Sequence, residues 1–85
     1  MIGQRHGDIG ALIRAKVLAG ILPIDPPVKV WAGYGTGKVC SACDLPTTAN
    51  DIEYETDMAN GHTFVFHQPC LTLWNQERAT HLKPK

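Results

Sequence analysis

The hydrophobic and polar positions along the chain predict a short amphipathic helix near the N-terminus. Asp8 is a favourable N-cap residue, and Gly20 and Pro23 form a stop signal. The positions between them that fall at helical spacing are Ile9, Leu12, Ile13, Lys16 and Val17, and the polar edge of the helix lies near Arg14 and Lys16. We therefore predict a helix from about residue 8 to about residue 20, with residues 1–7 as a polar tail. Its apolar stripe must bury against the rest of the chain, a second copy or a partner.

Two strands are predicted in the second half of the chain. Between residues 51 and 57 the sequence alternates, and one face carries Ile52, Tyr54 and Thr56. The other face carries Asp51, Glu53, Glu55 and Asp57. This alternation predicts a half-buried strand with a solvated acidic face, the alternative being a docking surface for a basic partner. Asn60-Gly61 marks a turn, and residues 62–67 form the second strand of a hairpin.

A second helix is predicted from about residue 69 to about residue 81. Pro69 suits a first helical position, and Pro84 ends the pattern. One helical stripe carries Leu71, Trp74 and Arg78, and Leu73 lies beside it. Residues 21–37 hold three of the six prolines and three of the eight glycines. They predict an extended connector, in which Val28, Val30 and Trp31 form a short strand or an anchor onto the core.

Length and charge limit the classes of function. The chain has 85 residues, enough for one small domain whose core needs a further stabilising link. Eight Lys and Arg balance eight Asp and Glu, whereas a dedicated nucleic-acid binder usually has a basic excess. No apolar run is long enough to span a membrane, and the N-terminus does not resemble a secretory signal. Unpaired cysteines then lead us to expect a cytoplasmic location.

Three cysteines and one histidine form the strongest chemical pattern. Cys40 and Cys43 form a Cys-x2-Cys pair, and His67 and Cys70 form a His-x2-Cys pair after residues 44–66. Two ligand pairs at this spacing are typical of a structural zinc site, and the odd number of cysteines argues against a disulfide framework. Four protein ligands leave no open coordination position, so we expect one structural Zn²⁺ and no catalysis.

The order of knuckle, hairpin and helix resembles a treble-clef zinc finger over about residues 38–82. The spacing is also similar to the first finger of LIM domains. Phe66-His67-Gln68-Pro69-Cys70-Leu71 matches the LIM habit of an aromatic residue before the histidine and an apolar residue after the cysteine. A LIM domain has a second finger, for which this chain has no ligands, so the LIM partner-binding role is not carried over. Small uncharacterised bacterial zinc-binding proteins look similar too, which implies no activity.

Other chemistries stay open for the cysteines. Cys40 and Cys43 could form a thiol redox pair, although Asp44-Leu45-Pro46 does not predict the helix that follows such pairs in thioredoxin-type proteins. The three cysteines could also be buried apolar residues. An iron–sulfur centre usually takes four cysteines. His62 is predicted to be a surface residue rather than a ligand.

The predicted fold is α+β, with a small treble-clef-like zinc core and an N-terminal helix. Residues 1–36 form the helix and connector, residues 37–82 the zinc-finger core and residues 83–85 a tail. We predict a non-enzymatic, zinc-stabilised module with a protein partner, for which a second copy of the chain is a candidate, and no membrane association. The alternatives are a thiol redox protein and a nucleic-acid-binding finger. The latter requires five basic residues to share one face: Arg14, Lys16, Lys29, Lys38 and Arg78.

Overall fold

The computed structural model describes the backbone of residues 5–82 and the side chains of residues 8–81. The elements within it are α1 (Arg5–Leu18), β1 (Lys29–Tyr34), β2 (Ile52–Asp57), β3 (Thr63–His67) and α2 (Gln68–Leu82). The strands form one antiparallel sheet in the order β1-β2-β3. The predicted α+β class is therefore confirmed. The predicted C-terminal tail, and most of the predicted N-terminal one, lie outside the described residues.

α1 begins before the predicted start and ends slightly before the predicted end. Asp8 lies in its first turn rather than at its cap, where a carboxylate still interacts favourably with the helix dipole. The helix ends in a Schellman motif: the Gly20 amide donates to the Val17 carbonyl (3.1 Å), and the Ile21 amide donates to the Lys16 carbonyl (2.8 Å). Gly20 has φ 79°, a conformation that glycine adopts without strain, so the predicted stop signal acts as expected.

The connector contains a full strand. β1 pairs with β2 along its whole length, from Lys29 opposite Asp57 to Tyr34 opposite Ile52. All six of its residues are exposed, so β1 extends the sheet without anchoring the connector onto the core. The anchor lies earlier, at Leu22, which is fully buried.

The predicted hairpin and C-terminal helix are both confirmed. β2 and β3 pair antiparallel, and the turn between them closes with the Met58 amide donating to the His62 carbonyl (2.8 Å). Gly61 has φ 92°, which explains the glycine at this turn. α2 begins immediately after β3, and Pro69 lies in its first turn, where no amide donor is required.

The prediction of a solvated acidic face on β2 is wrong at Glu53, which is only 6% exposed. Its carboxylate accepts hydrogen bonds from the Thr47 hydroxyl (2.8 Å) and from the amide and hydroxyl of Thr36 (both 3.0 Å). The loop between β1 and β2 thus covers this part of the face and supplies the donors that a buried carboxylate needs. On the opposite face of β2, the neighbouring residue Ile52 is exposed rather than buried.

One hydrophobic core joins both helices to the sheet. Trp74 of α2 stacks on Phe66 of β3, with ring centroids 4.8 Å apart, and its indole N–H donates to the Pro23 carbonyl (2.9 Å). α1 adds Ile13 and Val17 to the same cluster. Burial of each such side chain contributes about 1.5–3 kcal/mol. The apolar stripe of α1 is therefore covered within the chain. The helix-and-connector segment and the segment predicted as the zinc-finger core both contribute residues to this one core.

Candidate metal centre

The predicted ligands come from three places in the fold. Cys40 and Cys43 lie on a tight turn before β2, His67 is the last residue of β3, and Cys70 lies in the first turn of α2. Because β3 runs directly into α2, the His-x2-Cys spacing places both side chains on the same side of the strand–helix junction. The structure brings together all four residues that the sequence singled out.

The ligand atoms of this Cys3His group lie within 4.8 Å of one another, so the group could hold a metal ion. Two of these atoms, Cys43 Sγ and His67 Nδ1, lie 3.3 Å apart. A tetrahedral ion with bonds of about 2.3 Å to sulfur and about 2.0–2.1 Å to nitrogen separates its ligand atoms by about 3.5–3.8 Å. The four donors thus need only small movements to meet that geometry.

The imidazole of His67 is oriented by a contact on its far side. His67 Nε2 lies 3.2 Å from the Pro46 carbonyl, to which it donates when protonated. That tautomer leaves the Nδ1 lone pair facing the three sulfurs. A carbonyl or carboxylate that fixes the second ring nitrogen is the usual outer partner of a metal-binding histidine. Asp51 Oδ2, 3.7 Å from Nε2, adds negative charge on the same side.

The turn that carries Cys40 and Cys43 is a closed knuckle. The Cys40 amide donates to the Leu45 carbonyl (2.8 Å), and the Asp44 amide donates to the Cys40 carbonyl (3.0 Å). Asp44 has φ 67°, in the left-handed region that a non-glycine residue enters at a cost. This strained residue lets the chain reverse directly after Cys43, so that both sulfurs point to the same side.

Two contacts attach the knuckle to the rest of the fold. The Ser41 amide donates to the Val65 carbonyl (2.6 Å), and the Ser41 hydroxyl accepts from the Val65 amide (3.2 Å). Through these two bonds the knuckle covers the edge of β3 that faces away from β2. From α1, Lys16 Nζ donates to the Ser41 carbonyl (2.9 Å) and to Asp44 Oδ1 (2.7 Å). The Lys16 side chain is only 12% exposed, whereas that of Asp44 is 64% exposed, so the ammonium is largely covered while its carboxylate partner faces solvent.

The thiols perturb one another strongly. A hydrogen bond from the Cys70 thiol, against the effect of burial, lowers the pKa of Cys40 to about 4. The same hydrogen bond, together with burial, raises the pKa of Cys70. Burial also raises the pKa of Cys43. The protein alone therefore favours one thiolate held by thiols that keep their protons, whereas a bound dication would let all three sulfurs serve as thiolates.

The centre is buried on one side and reachable on the other. Cys40 and Cys70 belong to the hydrophobic core, whereas Cys43 and His67 are half-buried. A cavity of about 530 Å³ adjoins these two and is bounded by apolar side chains such as Leu45 and Pro69. The centre thus adjoins open space on the side of Cys43 and His67.

Two supporting residues escaped the sequence-based prediction. Lys16 was placed near the polar edge of α1, although its spacing from Ile9, Ile13 and Val17 puts it on the apolar side, where an ammonium needs a buried acceptor. Glu53 was assigned to a solvated face. The clue available for Glu53 was the hydroxyl-rich loop before β2, which contains Thr47.

No family model, curated protein or solved structure matches this chain. Within residues 5–82, neither helix has the length and apolar character needed to cross a membrane. The case for a function therefore rests on the geometry of the Cys3His group and on the surfaces around it.

Proposed function

We propose that the Cys3His group binds one Zn²⁺, which stabilises the fold of a non-enzymatic protein-interaction module. The observation that carries this proposal is the convergence of one nitrogen and three sulfur donors, from a knuckle, a strand end and a helix start, within 4.8 Å. Four soft or borderline donors at that spacing are the set that Zn²⁺ prefers.

The donor set favours zinc over other ions. Calcium and magnesium take oxygen ligands, and iron–sulfur clusters usually take four cysteines. Within the described residues no carboxylate belongs to the group, and that of Asp51 faces Nε2 of His67, the nitrogen turned away from the sulfurs. Zinc with three cysteines and one histidine fits both the chemistry of the donors and their number.

A structural role follows from the completeness of the donor set. Three sulfurs and one nitrogen fill a tetrahedral shell and leave no position for a reacting water. Cys40 and Cys70, at 0% and 2% exposure, are also core residues. The sequence of knuckle, hairpin and helix supports a treble-clef-like zinc core, into which α1 packs as an added layer.

Metal analysis tests the zinc assignment directly. Elemental analysis of the purified chain should find about one zinc per chain. His67→Ala should lose it, whereas His62→Ala, which alters an exposed histidine outside the cluster, should keep it. Cys70→Ser should unfold the domain, because metal binding and folding are coupled in small zinc modules. A metal-free chain with native amide dispersion in its NMR spectrum would contradict the structural role.

Thiol titration separates this function from the redox alternative. With zinc bound, Cys40 and Cys43 should react with a thiol reagent only after a chelator removes the metal. A redox pair would instead react at once in the purified protein, and would form a disulfide reversibly.

Contacts of the basic side chains weigh against nucleic-acid binding. Three of them already pair with acids: Arg14 with Glu77, Lys16 with Asp44 and Lys38 with Glu55. The other two lie over indole rings, Lys29 over Trp31 and Arg78 over Trp74. A gel-shift titration at low and at physiological salt should therefore show no salt-dependent complex.

A further inference from the structure

β1 forms an open edge of the sheet. Along an antiparallel pair of strands, hydrogen-bonded and non-hydrogen-bonded residue pairs alternate. The Gly35 amide donates to the Asp51 carbonyl (3.0 Å), which shows which pairs between β1 and β2 are the hydrogen-bonded ones. By that alternation the backbone groups of Trp31 and Gly33 point to β2. Those of Val30, Ala32 and Tyr34 then point away from β2, and within the described residues no further strand pairs with them.

This edge lacks the features that usually prevent strands from associating. Natural edge strands carry central charges, prolines or bulges, or are covered by another element. β1 has one charge, Lys29, at its first position, followed by Val-Trp-Ala-Gly-Tyr. Trp31 is 54% exposed and Tyr34 is 75% exposed. The exposed apolar residues are therefore concentrated where backbone donors and acceptors are also free.

Gly33 has no explanation within one chain. A glycine inside a strand weakens it, and usually marks a bulge, a bend or the close approach of another group. Gly33 pairs regularly with Glu53, its φ is not positive, and an added Cβ would meet nothing within 4 Å. A larger side chain would thus fit at position 33 in the isolated chain, and the close approach of a group from outside it would account for the glycine.

We propose that β1 pairs antiparallel with β1 of a second copy of this chain, about a two-fold axis at Ala32. The two sheets would then become one continuous sheet. This inference rests on the proposed interaction function and names its partner. In this register Ala32 faces Ala32 of the second copy, Val30 faces its Tyr34, and Trp31 faces its Gly33.

The sizes of the side chains select this register. Trp31 and Gly33 form the non-hydrogen-bonded pairs, where opposing Cα atoms are only about 4.5 Å apart and side chains are closest. A bulky residue at position 33 would crowd Trp31 of the second copy at this short separation, whereas glycine leaves room for it. A register centred on Trp31 would set two indoles against each other. A register centred on Gly33 would leave Val30 without a partner.

Charge also permits self-pairing. The chain has no net charge at pH 7, so two copies do not repel each other overall. Lys29 would lie opposite Gly35 of the second copy and meets no like charge across the pair. The indole is already fixed, since Trp31 Nε1 donates to Asp57 Oδ2 (3.0 Å) and Lys29 Nζ lies 5.2 Å from the ring centroid. Little side-chain freedom is therefore lost on association.

The expected dimer is weak. Fully covered aromatic side chains bury about 150–250 Å² each, so one strand edge provides less than the roughly 800 Å² per partner of a standard interface. We expect a dissociation constant in the micromolar to millimolar range.

Sedimentation equilibrium on the zinc-loaded chain, from about 10 µM to about 1 mM, tests the proposal. Ala32→Pro removes an amide that points to the open edge, and Gly33→Thr fills the space opposite Trp31. Both should weaken the dimer at least about tenfold, whereas the control Ala32→Ser, which keeps the amide, should not. Zinc content and the unfolding midpoint, measured on the same samples at about 10 µM, should match those of wild type.

Three results would overturn the proposal. The first is a wild-type chain that stays monomeric at about 1 mM. The second is a dimer that is equally tight in Ala32→Pro and Gly33→Thr. The third is a monomeric chain whose β1 amide resonances shift with an extended Val-Thr peptide, which would make a foreign strand the occupant. Zinc content is measured in each sample, so failure of the metal proposal would be seen separately from failure of the dimer.

Discussion

Replacing Glu53 tests how the loop between β1 and β2 is held in place. Its carboxylate is buried and accepts three hydrogen bonds, one from Thr47 and two from Thr36. Thr47 follows the knuckle and Thr36 follows β1, so the carboxylate joins two parts of the loop to β2.

The expected loss of stability follows from the number and kind of these bonds. A hydrogen bond to a charged group contributes about 1.5–3 kcal/mol net, and a neutral one about 0.5–1.5 kcal/mol. Glu53→Gln keeps an acceptor oxygen and loses the charge, so we expect the free energy of unfolding to fall by about 1–2 kcal/mol. Glu53→Ala removes the acceptor and should lower it by about 2–4 kcal/mol.

Urea unfolding followed by circular dichroism measures both values. Free zinc must be held at one concentration, because a bound metal adds to the apparent stability by mass action. Glu55→Gln is the matched control: Glu55 lies on the same face of β2, and its ion pair with Lys38 (3.5 Å) is partly exposed. Such a pair contributes about 0–1 kcal/mol. Equal losses in Glu53→Gln and Glu55→Gln would refute the reasoning.

The pH dependence of that loss provides a second check. Burial alone would raise the pKa of Glu53, but hydrogen bonds from Thr47 and Thr36 outweigh it and lower the pKa below its usual 4.5. A lowered folded-state pKa gives stability that is complete above the unfolded value and is lost only as the pH falls through the folded value. The difference between wild type and Glu53→Gln should thus be the same at about pH 8 and about pH 6. If burial dominated instead, the folded-state pKa would be raised, wild type would gain stability as the pH falls, and the difference would be larger at about pH 6 than at about pH 8.

Two further predictions concern backbone space and the contact between α1 and the knuckle. Gly35→Ala would place a Cβ against the Thr48 carbonyl and should lower the unfolding free energy by about 1–3 kcal/mol, whereas Gly10→Ala, with open space in α1, should raise it by up to about 1 kcal/mol. Thermal unfolding of both variants gives the signs, and two changes of the same sign would contradict the glycine geometry. Lys16→Met should remove the bond to the Ser41 carbonyl, cost about 1–2 kcal/mol and weaken zinc binding in competition with a chelator; unchanged zinc affinity would show that α1 does not support the knuckle.

The parts of the fold that were predictable are those whose cause lies within a few residues. The alternation around Tyr54 and the Asn60-Gly61 turn define the hairpin, and Pro69 marks the start of α2, because each acts through local backbone geometry. The two pairs of the Cys3His group were predictable for a related reason: the spacing within each pair is itself the local geometry of a knuckle and a helix turn. The structure brings them into one cluster.

The parts that were missed depend on residues far apart in sequence. Glu53 is buried only because Thr36 and Thr47 fold over it, and alternation along β2 carries no information about that loop. β1 was predicted only as a possible short strand, since the prolines and glycines around it obscure a pairing that β2 provides. The role of Lys16 likewise depends on where Ser41 lies in the fold.

The Cys3His group lies where α1, the sheet and α2 meet, a position at which a metal would stabilise a small chain. The knuckle bonds to β3 through Ser41 and to α1 through Lys16, while Cys70 belongs to α2. Cys40 and Cys70 are also members of the hydrophobic core. A metal at this point would stabilise contacts among all three layers at once, and its removal would expose a core too small to persist alone. The open edge of β1 lies outside this junction, so association there can change without disturbing the metal centre.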